Sequence, residues 1–236
     1  MLKRIPLAWL QLKRDKTRFS VAIAGIAFAA ILILVQMGFE DALYIGCMRP
    51  HRSLNADLVM VNPHFQTFFS VKNFPGARLY QCLSFDGVKS VAGLYVDKGV
   101  FKNPENNRSR EILVFACDPL KLPFCLPGVS AQAGKLAMLN EILFDVGSRP
   151  EYGPIQTIVD QQGSFFTEVN HKRVRTSGTF FMGANFAADG NMITSDSTFL
   201  RLFPERKADQ IEVGLIRLAA GVKPEDVQAQ MQKHLS

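Results

Sequence analysis

The side chains that most often do chemistry are few and scattered along these 236 residues. The histidines His51, His64, His171 and His234 show no HExxH or other paired spacing that could hold zinc, so each reads as a surface or loop residue. No GxxxxGK[ST] loop is present to cradle phosphates, and no GxSxG turn presents a serine nucleophile. Asp145, Glu151 and Asp160 could supply carboxylates for acid–base work, yet nothing in the sequence makes them converge, and surface solvation is the expectation. Cys47, Cys82, Cys117 and Cys125 include no CxxC. An oxidising compartment would permit them to pair in any of three ways. Buried free thiols behaving as small hydrophobes are the favoured reading. The sequence thus predicts no catalytic residue, no metal site and no cofactor.

The strongest local signal is apolar. Phe19 to Phe39 reads FSVAIAGIAFAAILILVQMGF, without one charge. As a helix this run would be roughly 31 Å long, about the thickness of a bilayer's hydrocarbon core. Core helices seldom stay uncharged for so long. Ala27-Phe28-Ala29 resembles a signal-peptidase site, but Ile31 to Val35 carry the apolar run beyond what a signal peptide needs. A retained transmembrane helix over 19–39 is therefore expected. Ala22, Gly25 and Ala29 offer small side chains for close packing of another membrane helix. Gln36, four residues before Glu40, suits the outer interface.

The flanks give an orientation. Lys3, Arg4, Lys13, Arg14, Lys16 and Arg18 precede the span against Asp15, while Glu40 and Asp41 follow it. The positive-inside rule puts residues 1–18 in the cytoplasm and 40–236 outside the inner membrane. Trp9 and Leu residues among the basic side chains suggest that 1–18 lies at the lipid interface. Residues 1–40 account for +4 of the net charge of +6. The remainder is close to neutral and gives no case for nucleic acid. The basic head suits anionic lipid headgroups.

Beyond the span the pattern is mixed. Strands are predicted over 56–62, 66–71, 92–101, 111–117, 137–145, 155–160, 165–169, 172–181 and 211–218. Short helices are predicted over 84–91, with Ser84 as N-cap, and over 195–202, closed by Pro204. Residues 118–135, rich in Pro and Gly, read as a surface loop. Pro224 opens an amphipathic helix with Val227, Met231 and Leu235 on one face. The sum is an α+β extracytoplasmic domain, in one or two lobes.

Four stretches resemble a known family. Ile5–Leu43 is similar to the first membrane segment of DevC-type permeases, a cyanobacterial branch of the MacB/FtsX-like ABC transporter group. Leu143–Pro154 (LFDVGSRPEYGP), Gly178–Pro204 (GTFFMGANFAADGNMITSDSTFLRLFP) and Ile211–Gly221 (IEVGLIRLAAG) continue the resemblance in order. It implies a MacB-type periplasmic domain in a transport component that performs no covalent chemistry. It also implies a separate cytoplasmic ATPase, a periplasmic membrane-fusion adaptor leading to a TolC-like outer-membrane channel, and a homodimer. The cargo would be glycolipid or other envelope material. Family members carry three more membrane helices after this domain. The sequence ends at Ser236, so a fragment, a shortened gene product or a split subunit is expected. The rival reading is a single-pass periplasmic sensor or scaffold. A membrane-anchored hydrolase has no motif behind it.

Overall fold

The computed structural model describes residue 14 and residues 16–65, 72–183 and 188–235. Residues 1–13 of the predicted interfacial segment, and the strand predicted over 66–71, lie outside the described residues. The chain divides into two compact units, Met1–Ile45 and Gly46–Ser236.

The first unit is dominated by helix α1 (Lys16–Arg52), whose last turns belong to the second. Its 37 residues make a helix about 55 Å long, well beyond what a bilayer core requires. Ala and Leu supply helix propensity, and no proline interrupts the run before Pro50. Pro50 has no N–H, so the carbonyl of Gly46 loses its intrahelical donor.

In the second unit β1 (Leu58–Val61) is followed by β2 (Phe74–Pro75) and α2 (Gly76–Gln81). Then come β3 (Val88–Lys102), β4 (Ser109–Cys117), α3 (Ala133–Leu136) and β5 (Glu141–Asp145). The chain continues through α4 (Ile155–Gln162), β6 (Phe165–Val169), β7 (Lys172–Phe180), β8 (Asn191–Ser195) and α5 (Asp196–Leu202). It closes with β9 (Gln210–Ile211), β10 (Val213–Leu218) and α6 (Pro224–Leu235). Eight strands form one mixed sheet in the order β1-β10-β3-β4-β8-β5-β7-β6. β6 returns to β3 through Phe101↔Val169, so six of the strands curl towards closure. β2 and β9 pair separately.

The 15-residue β3 makes this possible. Its first half pairs with β10, its second half with β4, and its tip touches β6. Strand alternation then sends side chains to two faces. On one, Phe101, Phe144 and Tyr152 meet with ring centroids 5.2–5.8 Å apart, and Phe199 packs on Tyr95 at 5.3 Å. On the other, Leu113, Phe115, Leu143 and Ile193 lie under Phe124, Val129 and Leu136. With both faces covered, β5 and β8 read apolar or buried throughout.

Several expectations are corrected. Residues 84–91 do not form a helix: α2 ends at Gln81, a 3-10 turn, Cys82–Ser84, takes in only the first of them, and Val88–Val91 enters β3, where β-branched side chains pack well. Residues 155–160 are helical rather than extended, because Ile155, Ile158 and Val159 share one helical face and pack on the core. The loop over 118–135 holds buried Phe124 and Val129, two 3-10 turns and the start of α3. The helix predicted over 195–202 is present as α5, capped by Ser195, whose Oγ accepts from Thr198 N. Cys82 and Cys117 are buried free thiols, but Cys125 is exposed.

Candidate functional site

Among the described residues no cluster of His, Cys, Asp and Glu could hold a metal. Two other features stand out, an exposed apolar helix and a buried carboxylate.

The apolar run of α1 is bare. Between Val21 and Phe39 eleven large apolar side chains are half or more exposed, with Ile26 at 72%. Ala22 and Ala29 are exposed as well, and a Cβ added at Gly25 would meet no atom within 4 Å. Each large apolar side chain left in water forgoes about 2 kcal/mol. Eleven of them exceed the whole stability of an ordinary domain, about 5–15 kcal/mol. Among the described residues α1 is the one helix long and apolar enough to cross a membrane. In Gly46–Ser236 the balance is the opposite, since most large apolar side chains there supply two packed cores.

The carboxylate is Asp145, which is fully buried rather than solvated on the surface. It is the last residue of β5, and the chain turns away from the sheet immediately after it. Oδ1 accepts from the amides of Gly147 and Met182, both at 2.9 Å. Oδ2 accepts from the Gly183 amide at 2.9 Å and from Asn191 Nδ2 at 2.8 Å. A buried carboxyl group is tolerated when donors saturate its oxygens, as four amide donors do here. Gly147 belongs to one resembling stretch, Leu143–Pro154; Met182, Gly183 and Asn191 belong to another, Gly178–Pro204. The fold joins the two at this carboxylate.

Around it the two stretches interlock further. Asp189 receives Arg110 Nη1 at 2.8 Å and Arg149 Nε at 2.7 Å, while Arg110 Nη2 lies 3.5 Å from Glu151. Tyr152 is buried and its hydroxyl donates to the carbonyl of Glu111. Burial pushes the Tyr152 phenol well above its ordinary range, and the nearby Asp189 charge adds to that. A Cβ at Gly190 would stand 2.7 Å from Tyr152 Cε2 and 2.8 Å from Ser148 Oγ, so side-chain-free backbone is required there. Asp145, Asp189, Arg110, Arg149 and Tyr152 each bind another part of the chain. Glu151 stands at its exposed edge, and Asp160 is exposed on α4, so the three carboxylates do not share a site.

A second buried acid escaped sequence reasoning. Glu212 is fully buried, pairs with Arg206, and accepts from Val96 N at 3.0 Å. Arg206 also reaches Asp97 at 3.3 Å. Its position between β9 and β10 gives no local sign of burial.

No protein-family model matches the chain, and no curated protein matches it. Among solved structures it is similar to the extracellular domain of the noncanonic ABC-type transporter YknZ from Gram-positive bacteria. There the TM-score is 0.44 at 11% identity, over 70% of this chain and 86% of that one. It is also similar to the periplasmic region of MacB from Actinobacillus actinomycetemcomitans, with a TM-score of 0.49 at 11% identity, covering 75% of this chain and 80% of that chain.

Proposed function

We propose that this chain is a permease component of an ABC-type export system: a first membrane helix followed by an extracytoplasmic domain that moves rather than catalyses. The observation that carries the reading is the bare apolar run of α1 joined to a domain that packs its own cores. Lipid is the solvent that suits such a helix. The basic flank before it and Glu40 and Asp41 after it support a cytoplasmic N-terminus and a periplasmic bulk. The polar clusters support a mechanical role, since each is consumed in holding the chain together and none presents a reactive pair.

On this reading residues 19–39 span the inner membrane and 40–236 form the periplasmic domain. The DevC-like stretches support a finer assignment. A separate ATPase would drive a homodimer of the permease, and the domain would pass motion to a membrane-fusion adaptor and a TolC-like channel, exporting glycolipid or related envelope cargo. Ala22, Gly25 and Ala29 would face further membrane helices.

The test is purification of the tagged chain from carbonate-washed membranes. Retention in the pellet, with an ABC ATPase and an adaptor among the copurifying proteins, is the expected result. Release by carbonate would overturn the anchor. A histidine kinase or response regulator in place of the ATPase would favour the sensor instead.

A further inference from the structure

The end of α1 and the Asp145 knot meet at one residue. Gly183 has φ +94°, a conformation that glycine adopts without strain, and a Cβ there would stand 2.4 Å from Arg49 Nη1. The Arg49 guanidinium therefore rests directly on the Gly183 backbone. A Cβ at Gly147 would stand 2.5 Å from Gly183 Cα, so that backbone presses on it too. The Gly183 amide is held by Asp145, and its carbonyl accepts from Asn191 Nδ2 at 3.1 Å. A cation and a carboxylate thus touch the same residue.

Neighbouring bonds secure the chain just past Arg49. The Ser53 carbonyl accepts from Cys125 N at 2.7 Å, and Asn55 N donates to the Pro123 carbonyl at 2.7 Å. Leu54 bridges to Phe124. These contacts explain why Gly46–Arg52, although helical, belongs to the domain and not to the apolar run.

We infer that Arg49, Gly183 and Asp145 form a clasp fixing the last turns of α1 to the strand ends at β5 and β8. Arg49 and Asp145 are its positioning residues. Load arriving along the helix then reaches Asp145 and Asn191 through Gly183, beside the contacts that Ser53–Asn55 make with residues 123–125. The inference rests on the membrane reading for the source of that load, but the clasp stands without it.

Amide hydrogen exchange on the full chain in detergent micelles tests it, with Arg49→Ala, Arg49→Lys and Gly183→Ala. Arg49 is exposed, so its loss spares the cores. The expected result is faster exchange, at least about fivefold, at the Gly147 and Gly183 amides in Arg49→Ala and at the Gly147 amide in Gly183→Ala. Arg49→Lys should recover part of the protection, while amides of the β3–β4 hairpin keep their wild-type rates. Unchanged exchange at both glycines in Arg49→Ala would overturn the clasp. So would an equal rise across β3 and β4, which would mean general loosening. Carbonate extraction of the same variants keeps the two claims apart, because a chain washed from membranes could still show the coupled exchange.

Discussion

Asp145 and Glu212 show how differently two buried carboxyl groups can be satisfied. Asp145 is saturated by amides alone, whereas Glu212 depends on a single guanidinium and one backbone N–H. Removing Arg206 would leave Glu212 buried without its counter-charge, and breaking a buried pair in that way costs about 3–5 kcal/mol. Arg206→Met is therefore expected to lower the urea midpoint of the detergent-solubilised chain sharply, while Arg206→Met combined with Glu212→Leu should recover much of the loss. An unchanged midpoint in the single variant would show that water reaches Glu212. One of these acids was within reach of the sequence. Asp145 ends an apolar strand and is followed two residues later by Gly147, the spacing of a side chain that caps its own turn. Glu212 carries no such mark, and its burial follows only from the pairing of β10 with β3.

Among elements, those with strong local punctuation were legible. Ser195 before α5, Pro224 at the start of α6 and the turn-rich residues between β3 and β4 all stand where the sequence puts them. One missed element is β8, the central strand between β4 and β5. Its NMITS run is buried at every position, but Asn191, Thr194 and Ser195 are polar: Asn191 Nδ2 donates within the knot, Ser195 caps α5 and Thr194 donates to the Glu141 carbonyl. An apolar-pattern reading passes over such a strand, because its burial comes from its neighbours rather than its composition. The 155–162 segment failed for the opposite reason: its short apolar run fits both periods until a core is there to choose. β3 suggests a test at this scale. Phe101 is fully buried at the point where β3 meets β6, against Phe144 and Tyr152. Phe101→Ala should cost about 3–5 kcal/mol and should raise amide exchange in β6 more than in β10, measured peptide by peptide. Uniform exchange along β3 would argue against the closure at its tip.

At the scale of the molecule the division of labour is between a helix that lacks a protein environment and a domain that supplies its own. The sequence revealed the first through an uncharged run and the second only as a mixture of strands and helices, since the long pairing of β3 with three partners is a property of the folded sheet. The two readings need each other, because a span alone says nothing of what it anchors.

The phenols extend that division to the optical behaviour of the protein. The single tryptophan, Trp9, precedes the apolar run, so residues 46–236 carry only Tyr80, Tyr95 and Tyr152 as their strong near-ultraviolet chromophores. Tyr80 is exposed, while burial raises the pKa of Tyr95 and of Tyr152. A phenol held neutral in the folded state favours folding below its ordinary pKa of about 10, and that contribution fades as alkali ionises the unfolded chain. In base titration of a Trp9→Phe, Tyr44→Phe, Tyr80→Phe chain the phenolate absorbance of Tyr95 and Tyr152 should therefore rise together with loss of the circular dichroism of the sheet. Phenolate absorbance that rises while the sheet signal is intact would place these rings in contact with water.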